Sequence, residues 1–180
     1  MKIRILKRIA LVLSVVFLLL CGTTLALMLQ KTEPIQNNFE PAKVDCLVQE
    51  TFDGTKKSEI TVQNTGNIHA YLRLRLVSYW VDADGKIGPI PSEMPSVSIT
   101  DSWFAGSDNT YYHKTAVASM QSSEELLNAP IVLETKTVSG TTYYQVVEVF
   151  AEAIQSVPVS AVQNSWGVKV DTEGNLTLDN

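Results

Sequence analysis

Residues 43–180 predict an all-β fold, a jelly-roll-like β-sandwich with one short helix near its C-terminus, set behind an N-terminal signal or transmembrane helix. Three observations predict it. Apolar and polar residues alternate with period two in run after run of the domain. Clusters rich in Gly, Asn, Asp and Pro separate those runs at short intervals. Only the stretch after Pro158 has the spacing and terminator of a helix. Roughly seven to nine short strands with little helix is the pattern of a sandwich, not of alternating β and α units. No internal repeat or low-complexity tract interrupts it.

The elements follow in order. Val44, Cys46 and Val48 alternate with Asp45, Leu47 and Gln49 as a first strand, and Asp53-Gly54 opens a turn whose loop Lys56 and Lys57 extend. Ile60 and Val62 alternate with polar neighbours up to the turn Asn64-Thr65-Gly66-Asn67. Ala70 to Val81 is the clearest strand: Leu72, Leu74 and Leu76 supply core on one face, and Tyr71 shares the other with Arg73 and Arg75, which stand outward. Asp82-Ala83-Asp84-Gly85 ends it in a hairpin-type turn, and Gly88 to Pro95 form a proline-rich loop. Trp103-Phe104 and Tyr111 to Lys114 flank Gly106-Ser107-Asp108-Asn109 as an aromatic hairpin. Ser122 to Leu127 could open a short helix, and Ile131 to Val138 reads as a strand ending at Ser139-Gly140. Tyr143 to Ile154 is apolar on both parities, so it predicts a central strand. Pro158 in the first turn, Ala161, Val162 and Trp166 on one face and Gly167 as a stop define the helix. Val168 to Leu178 alternate again around Glu173-Gly174-Asn175.

The N-terminus places the domain outside the cytoplasm. Lys2, Arg4, Lys7 and Arg8 precede an uncharged, mostly apolar run from Ile9 to Leu29, the layout of a secretory signal. Thr24-Leu25-Ala26 puts small residues at the −3 and −1 positions, so cleavage between Ala26 and Leu27 is the expectation. Uncleaved, the run is long enough to span a bilayer, with the basic flank inside and the domain outside. Leu20 is too large for the residue before a lipidated cysteine, which argues against Cys21 as an anchor. The chain thus divides into a signal peptide (1–26), an extended polar segment with two prolines (27–42) and the β-sandwich domain (43–180).

Losing residues 1–26 removes four positive charges and takes the net charge from −5 to −9. That excludes a sequence-independent nucleic-acid binder, which needs a basic face, and leaves the membrane reachable only through the N-terminal segment. Cys46 is the one cysteine of the mature chain, so no internal disulfide forms; it reads as a small buried hydrophobe.

Residues able to carry chemistry are sparse. His69 and His113 lie in different elements without the i, i+4 spacing of a zinc helix and read as surface or turn histidines. Neither forms a recognisable nucleophile pair with Cys46. Asp82-x-Asp84-Gly85 has only two acidic positions before the glycine, too few for a calcium loop, so a β-turn is the better reading. Tyr111-Tyr112 and Tyr143-Tyr144 could form an aromatic binding face, although alternation on a half-buried strand favours sheet packing. Phosphate loops, Cys-x-x-Cys pairs and nucleophile elbows are absent from the sequence. No cofactor, metal site or catalytic residue is expected, and the chain reads as a non-enzyme.

The series of motifs goes further. Thr24-Leu25-Ala26 followed by Lys31 to Pro34 and Asn38-Phe39, then Glu50 to Gly54, Val62 to Asn67 leading into Ala70 to Arg73, and Trp80 to Gly85, resembles the TasA/camelysin-like family of Gram-positive exported proteins. Trp103 to Asp108 with Tyr111 to Lys114, and Glu148 to Gln155 with Ala161-Val162 and Trp166 to Val168, continue the resemblance in order along nearly the whole chain. It implies a jelly-roll sandwich exported through a signal peptidase of the SipW type. It also implies self-association, or association with related exported subunits, into biofilm-matrix fibres. The mature N-terminal segment of one subunit would add as a strand to the next. Here that segment is Leu27 to Phe39, with Leu27, Leu29, Ile35 and Phe39 as candidate anchors; Pro34 lacks the N–H that pairing across its middle would use. Camelysin is described as a metalloprotease, but this sequence has no zinc signature to carry that activity. The other expectation is a monomeric surface-binding module held by an uncleaved Ile9–Leu29.

Overall fold

The computed structural model describes residues 3, 5–7, 11–17 and 40–179. They fall into two units, Met1–Glu40 and Pro41–Asn180. In the first, residues 11–17 are helical with exposed apolar side chains. Among the described residues, no helix is long and apolar enough to cross a membrane.

The second unit is all-β with one short helix, as its alternation predicts. Its strands are β1 (Cys46–Phe52), β2 (Lys56–Asn64), β3 (Ala70–Val81), β4 (Trp103–Ala105), β5 (Thr110–His113), β6 (Ile131–Val132), β7 (Thr135–Val138), β8 (Thr141–Gln155), β9 (Val168–Val170) and β10 (Leu176–Leu178). One antiparallel sheet has the order β1-β2-β6, a second β4-β5-β3-β8-β7, and β9 pairs with β10. Ile60 and Val62 of the first sheet meet Leu72, Leu74, Leu76 and Val147 of the second in one apolar core, closed by Trp103, Leu126 and Ile131. Each leucine buried there contributes about 1.5–3 kcal/mol of transfer free energy.

The five-stranded sheet also buries part of its opposite face. Tyr71, on the face it shares with the outward arginines, is only 3% exposed. It packs with Tyr112, Val162, Val168 and Leu176 in a second cluster, and its hydroxyl donates to Gly174 O at 2.8 Å. The helix (Ser160–Trp166) and the β9–β10 hairpin lie on that face, a tertiary arrangement that strand periodicity cannot report. Gly167 ends the helix in the left-handed conformation, φ 64°, with its N–H on Gln163 O. Pro158 stands before the first helical turn instead of within it.

Three local expectations need correction. Lys56 and Lys57 begin β2 instead of extending the loop, because Asp53 Oδ1 closes the turn early on the N–H groups of Thr55 (2.8 Å) and Lys56 (2.7 Å). Ser122 to Leu127 form no helix; Ser123 and Leu126 donate their N–H groups to Val62 O and Ile60 O, so the segment runs along β2. Ile131 to Val138 is two strands in two sheets, since Leu133 bonds back to Thr55 while Glu134 O accepts from Gln145 and turns the chain onto β8.

Candidate functional site: the free edge of β8

β8 is the longest strand, and its two neighbours cover it unequally. β3 pairs along Gln145 to Gln155 and beyond, whereas β7 reaches only Thr141 to Tyr144. The direction of the remaining hydrogen-bonding groups follows from β3. Ala70 and Leu76 donate their N–H groups away from β8, to Val117 O and Asn109 O, both at 3.0 Å. In an antiparallel sheet alternate residues bond to opposite sides, so odd-numbered Arg73, Arg75 and Val77 bond to their partners Glu152, Phe150 and Glu148. Val147, Val149, Ala151 and Ala153 of β8 therefore turn their N–H and C=O groups outward. Gln145, next in the series, shows that direction by donating to Glu134 O at 2.9 Å. Beyond it, no strand pairs with this side of β8 among the described residues. Such an edge is a template for another strand.

β1, the end strand of its sheet, lies against β8 without pairing to it, so two unpaired sheet margins face each other. Between them opens a mainly apolar cleft of about 200 Å³ lined by Phe52, Leu133, Val146 and Val147. Lys57 and Glu50 close its rim as an ion pair at 2.6 Å, with the lysine side chain only 10% exposed. Leu47 and Phe52 of β1 and Phe150 of β8 remain exposed nearby in their strands, Phe150 to 51%. The cleft is sized for one apolar side chain, which is what strand addition requires: main-chain bonds along the edge and pockets for alternate residues.

Thr24, Ala26, Leu27, Leu29, Ile35 and Phe39, the predicted cleavage and anchor positions, lie outside the described residues. The acceptor positions Val149 to Ala153 were not singled out by sequence. The available signal was length: only four residues separate Glu134 from the Ser139-Gly140 turn, so the hairpin partner of β8 is too short to cover it.

The other candidates resolve as follows. His69 is an exposed turn residue. His113 is not a surface histidine: it is 2% exposed, with Nδ1 2.7 Å from Thr115 O, Nε2 2.5 Å from Glu124 Oε2 and its ring edge-on to Trp103. Its strand points it into the core, and Glu124 on the facing segment meets it. Cys46 is half-buried against the core, and burial pushes its thiol up, followed by the charges of Asp45 and Glu152, so little thiolate forms at neutral pH. Asp82 Oδ1 accepts the N–H groups of Asp84 (3.0 Å) and Lys86 (2.9 Å), closing a turn. Among the described residues no three His, Cys, Asp or Glu side chains group as metal ligands. Tyr111 and Tyr112 are buried in the two separate cores, while Tyr144 is 47% exposed on the outer sheet face.

Four carboxylates are held below their ordinary range. The causes, largest first, are the Lys43 ammonium for Asp45, the Thr55 N–H for Asp53, the residue's own N–H and then His113 for Glu124, and the Asn175 N–H for Asp171. A folded-state pKa below the unfolded value gives stability that is complete above the unfolded value and is lost as pH falls through the folded one. Thermal unfolding followed by circular dichroism is therefore expected to be flat from pH 7 to about 5 and to weaken progressively below about 4.5.

Compared with protein-family models, curated proteins and solved structures, the chain matches none.

Proposed function

We propose that this chain is an exported structural subunit, not an enzyme, that assembles into an extracellular fibre by strand addition. The unpaired outer edge of β8 from Val149 to Ala153, beside the apolar cleft, is the observation that carries the reading. The donor is the Leu27–Phe39 segment of a neighbouring copy or related subunit, freed when a SipW-type peptidase cuts after Ala26. Leu27 to Glu33 is seven residues long, enough to cover Val149 to Ala153 before Pro34 interrupts the pairing. Leu27 and Leu29 then alternate toward the cleft, and Ile35 and Phe39 anchor beyond the proline. The resemblance to TasA/camelysin-like proteins supports the same assembly, a biofilm-matrix role and a jelly-roll connectivity.

Protein beginning at Leu27 is expected to form filaments above a critical concentration, seen by sedimentation and negative-stain microscopy. Protein that stays monomeric at every concentration, and in culture supernatant, would sink the reading. The exposed apolar residues of helical segment 11–17 suit a second one, a surface module kept in the membrane by an uncleaved leader. Mass spectrometry separates them: Leu27 as first residue in the extracellular fraction supports assembly, and intact Met1 in the membrane fraction supports the anchor.

A further inference from the structure

We infer that the concave polar surface around Arg75 is a binding site for a neutral oligosaccharide. Arg75 lies at the middle of β3, on the outer sheet face below the part that the helix covers. Two concavities, of about 290 and 250 Å³, flank it, and both are walled by Arg75 and Asp108. Each alone falls just short of the roughly 300–1,000 Å³ usual for small-molecule sites, so an extended ligand would span both. Ser107 and Thr110 line the first and Asn109 the second, and the indole of Trp166 stands at the far end of the first.

Three features identify the ligand class. The site offers donors and acceptors of both charges: a guanidinium, a carboxylate, an amide and two hydroxyls, none bonded through its side chain to another described residue. Beside it Arg73 is already committed, paired with Glu152 at 2.7 Å and lying 4.8 Å over the Trp166 ring. Arg75 and Asp108 leave the site without net charge, which favours a polyhydroxylated ligand over an anion. Planar side chains such as Arg, Asp and Asn engage adjacent hydroxyls, donating and accepting at once, while the Trp166 indole, its face taken by Arg73, walls the end of the site.

The site is also held rigid. Ser107 to Thr110 is a tight hairpin turn, with Thr110 N–H on Ser107 O at 3.0 Å. Asp108 and Asn109 both take left-handed backbone conformations, φ 54° and 55°. Asp and Asn are ordinary residues for such a turn, and here both line the second concavity. The chain Phe104–Tyr112–Trp166, with ring centroids 5.2 and 5.9 Å apart, fixes the indole from behind.

The test is titration calorimetry of the full chain with tetrasaccharides of glucose, galactose and N-acetylglucosamine, and with tetragalacturonate as the acidic arm. At least one neutral tetrasaccharide is expected to bind, with affinity falling at least tenfold in both Arg75→Gln and Asp108→Asn and unchanged in Lys169→Gln on the distant hairpin. Circular dichroism confirms that each variant is folded, and an Arg75→Lys variant, which keeps the charge but not the planar fork, is expected to lose most of the binding too. No neutral saccharide binding, or binding indifferent to Arg75→Gln and Asp108→Asn, overturns the proposal. Binding of tetragalacturonate alone, retained in Asp108→Asn and abolished by salt, overturns it in favour of a simple anion site.

Discussion

Ala151→Pro is expected to abolish filament formation while leaving the domain folded. Ala151 is the middle of the accessible outward series Val149, Ala151 and Ala153, so its N–H takes no part in pairing with β3. Proline is tolerated in a strand only where its missing N–H faces away from the ladder, which is the case here. Its fixed φ suits an edge strand, so stability should change by no more than about 1 kcal/mol, or about 2–4 °C in Tm. The effect on assembly is disproportionate. One hydrogen bond, net about 0.5–1.5 kcal/mol, is lost, and the pyrrolidine ring also occupies the space where a donor strand's carbonyl would lie. Strand addition is cooperative along the edge, so an obstacle at its middle leaves two fragments too short to hold. Filament mass at a concentration where the parent protein assembles fully should fall at least tenfold, while Ala151→Val assembles as before. Filaments of normal yield from a folded Ala151→Pro protein would place the interface elsewhere.

How far the sequence discloses this site depends on which kind of information each part needs. β3 was legible because Leu72, Leu74 and Leu76 alternate with arginines, and a one-residue shift would expose all three. The β4–β5 hairpin and the Gly167 helix stop were legible because left-handed turns demand particular residues. The failures share a different origin. Tyr71 and His113 are polar-tipped residues buried by segments remote in sequence, the β9–β10 hairpin and the Glu124 loop. Ser122 to Leu127 has helical composition, but β2 offered its carbonyls and the segment took them. Above all, β8 was legible as a central strand, and it is one for β3 and β7. That its outer side goes uncovered after Tyr144 is a property of the partner's length, not of its own residues.

Asn64→Asp should be the most destabilising isosteric change in the domain. Asn64 is 0% exposed where β2 runs into the Asn-Thr-Gly-Asn turn. Its Nδ2 donates to Ile68 O at 2.8 Å and to Val117 O at 3.0 Å, and its Oδ1 accepts the Gly66 N–H at 3.0 Å. One amide thus joins the turn to the segment that closes the first core. Nothing can shift to compensate, since a Cβ on Gly66 would already lie 2.3 Å from Lys43 O. Asparagine to alanine leaves Ile68 O and the Gly66 N–H unpaired, while Val117 O keeps the Ala70 N–H, and should cost about 2–4 kcal/mol. The aspartate variant should cost more at pH 7, about 3–5 kcal/mol, because a buried carboxylate then faces two carbonyl oxygens. The two losses differ in their dependence on pH. Burial beside acceptors raises the introduced carboxyl above its unfolded pKa, so its penalty is greatest at neutral pH and shrinks as pH falls toward about 4.5, where the proton it takes up can donate to one carbonyl. The alanine variant has nothing to titrate there. Urea midpoints measured at pH 7 and 4.5 should therefore show the aspartate deficit narrowing against the parent protein while the alanine deficit stays constant. Parallel deficits for the two variants would mean that the amide's donors are not what binds the turn to the core.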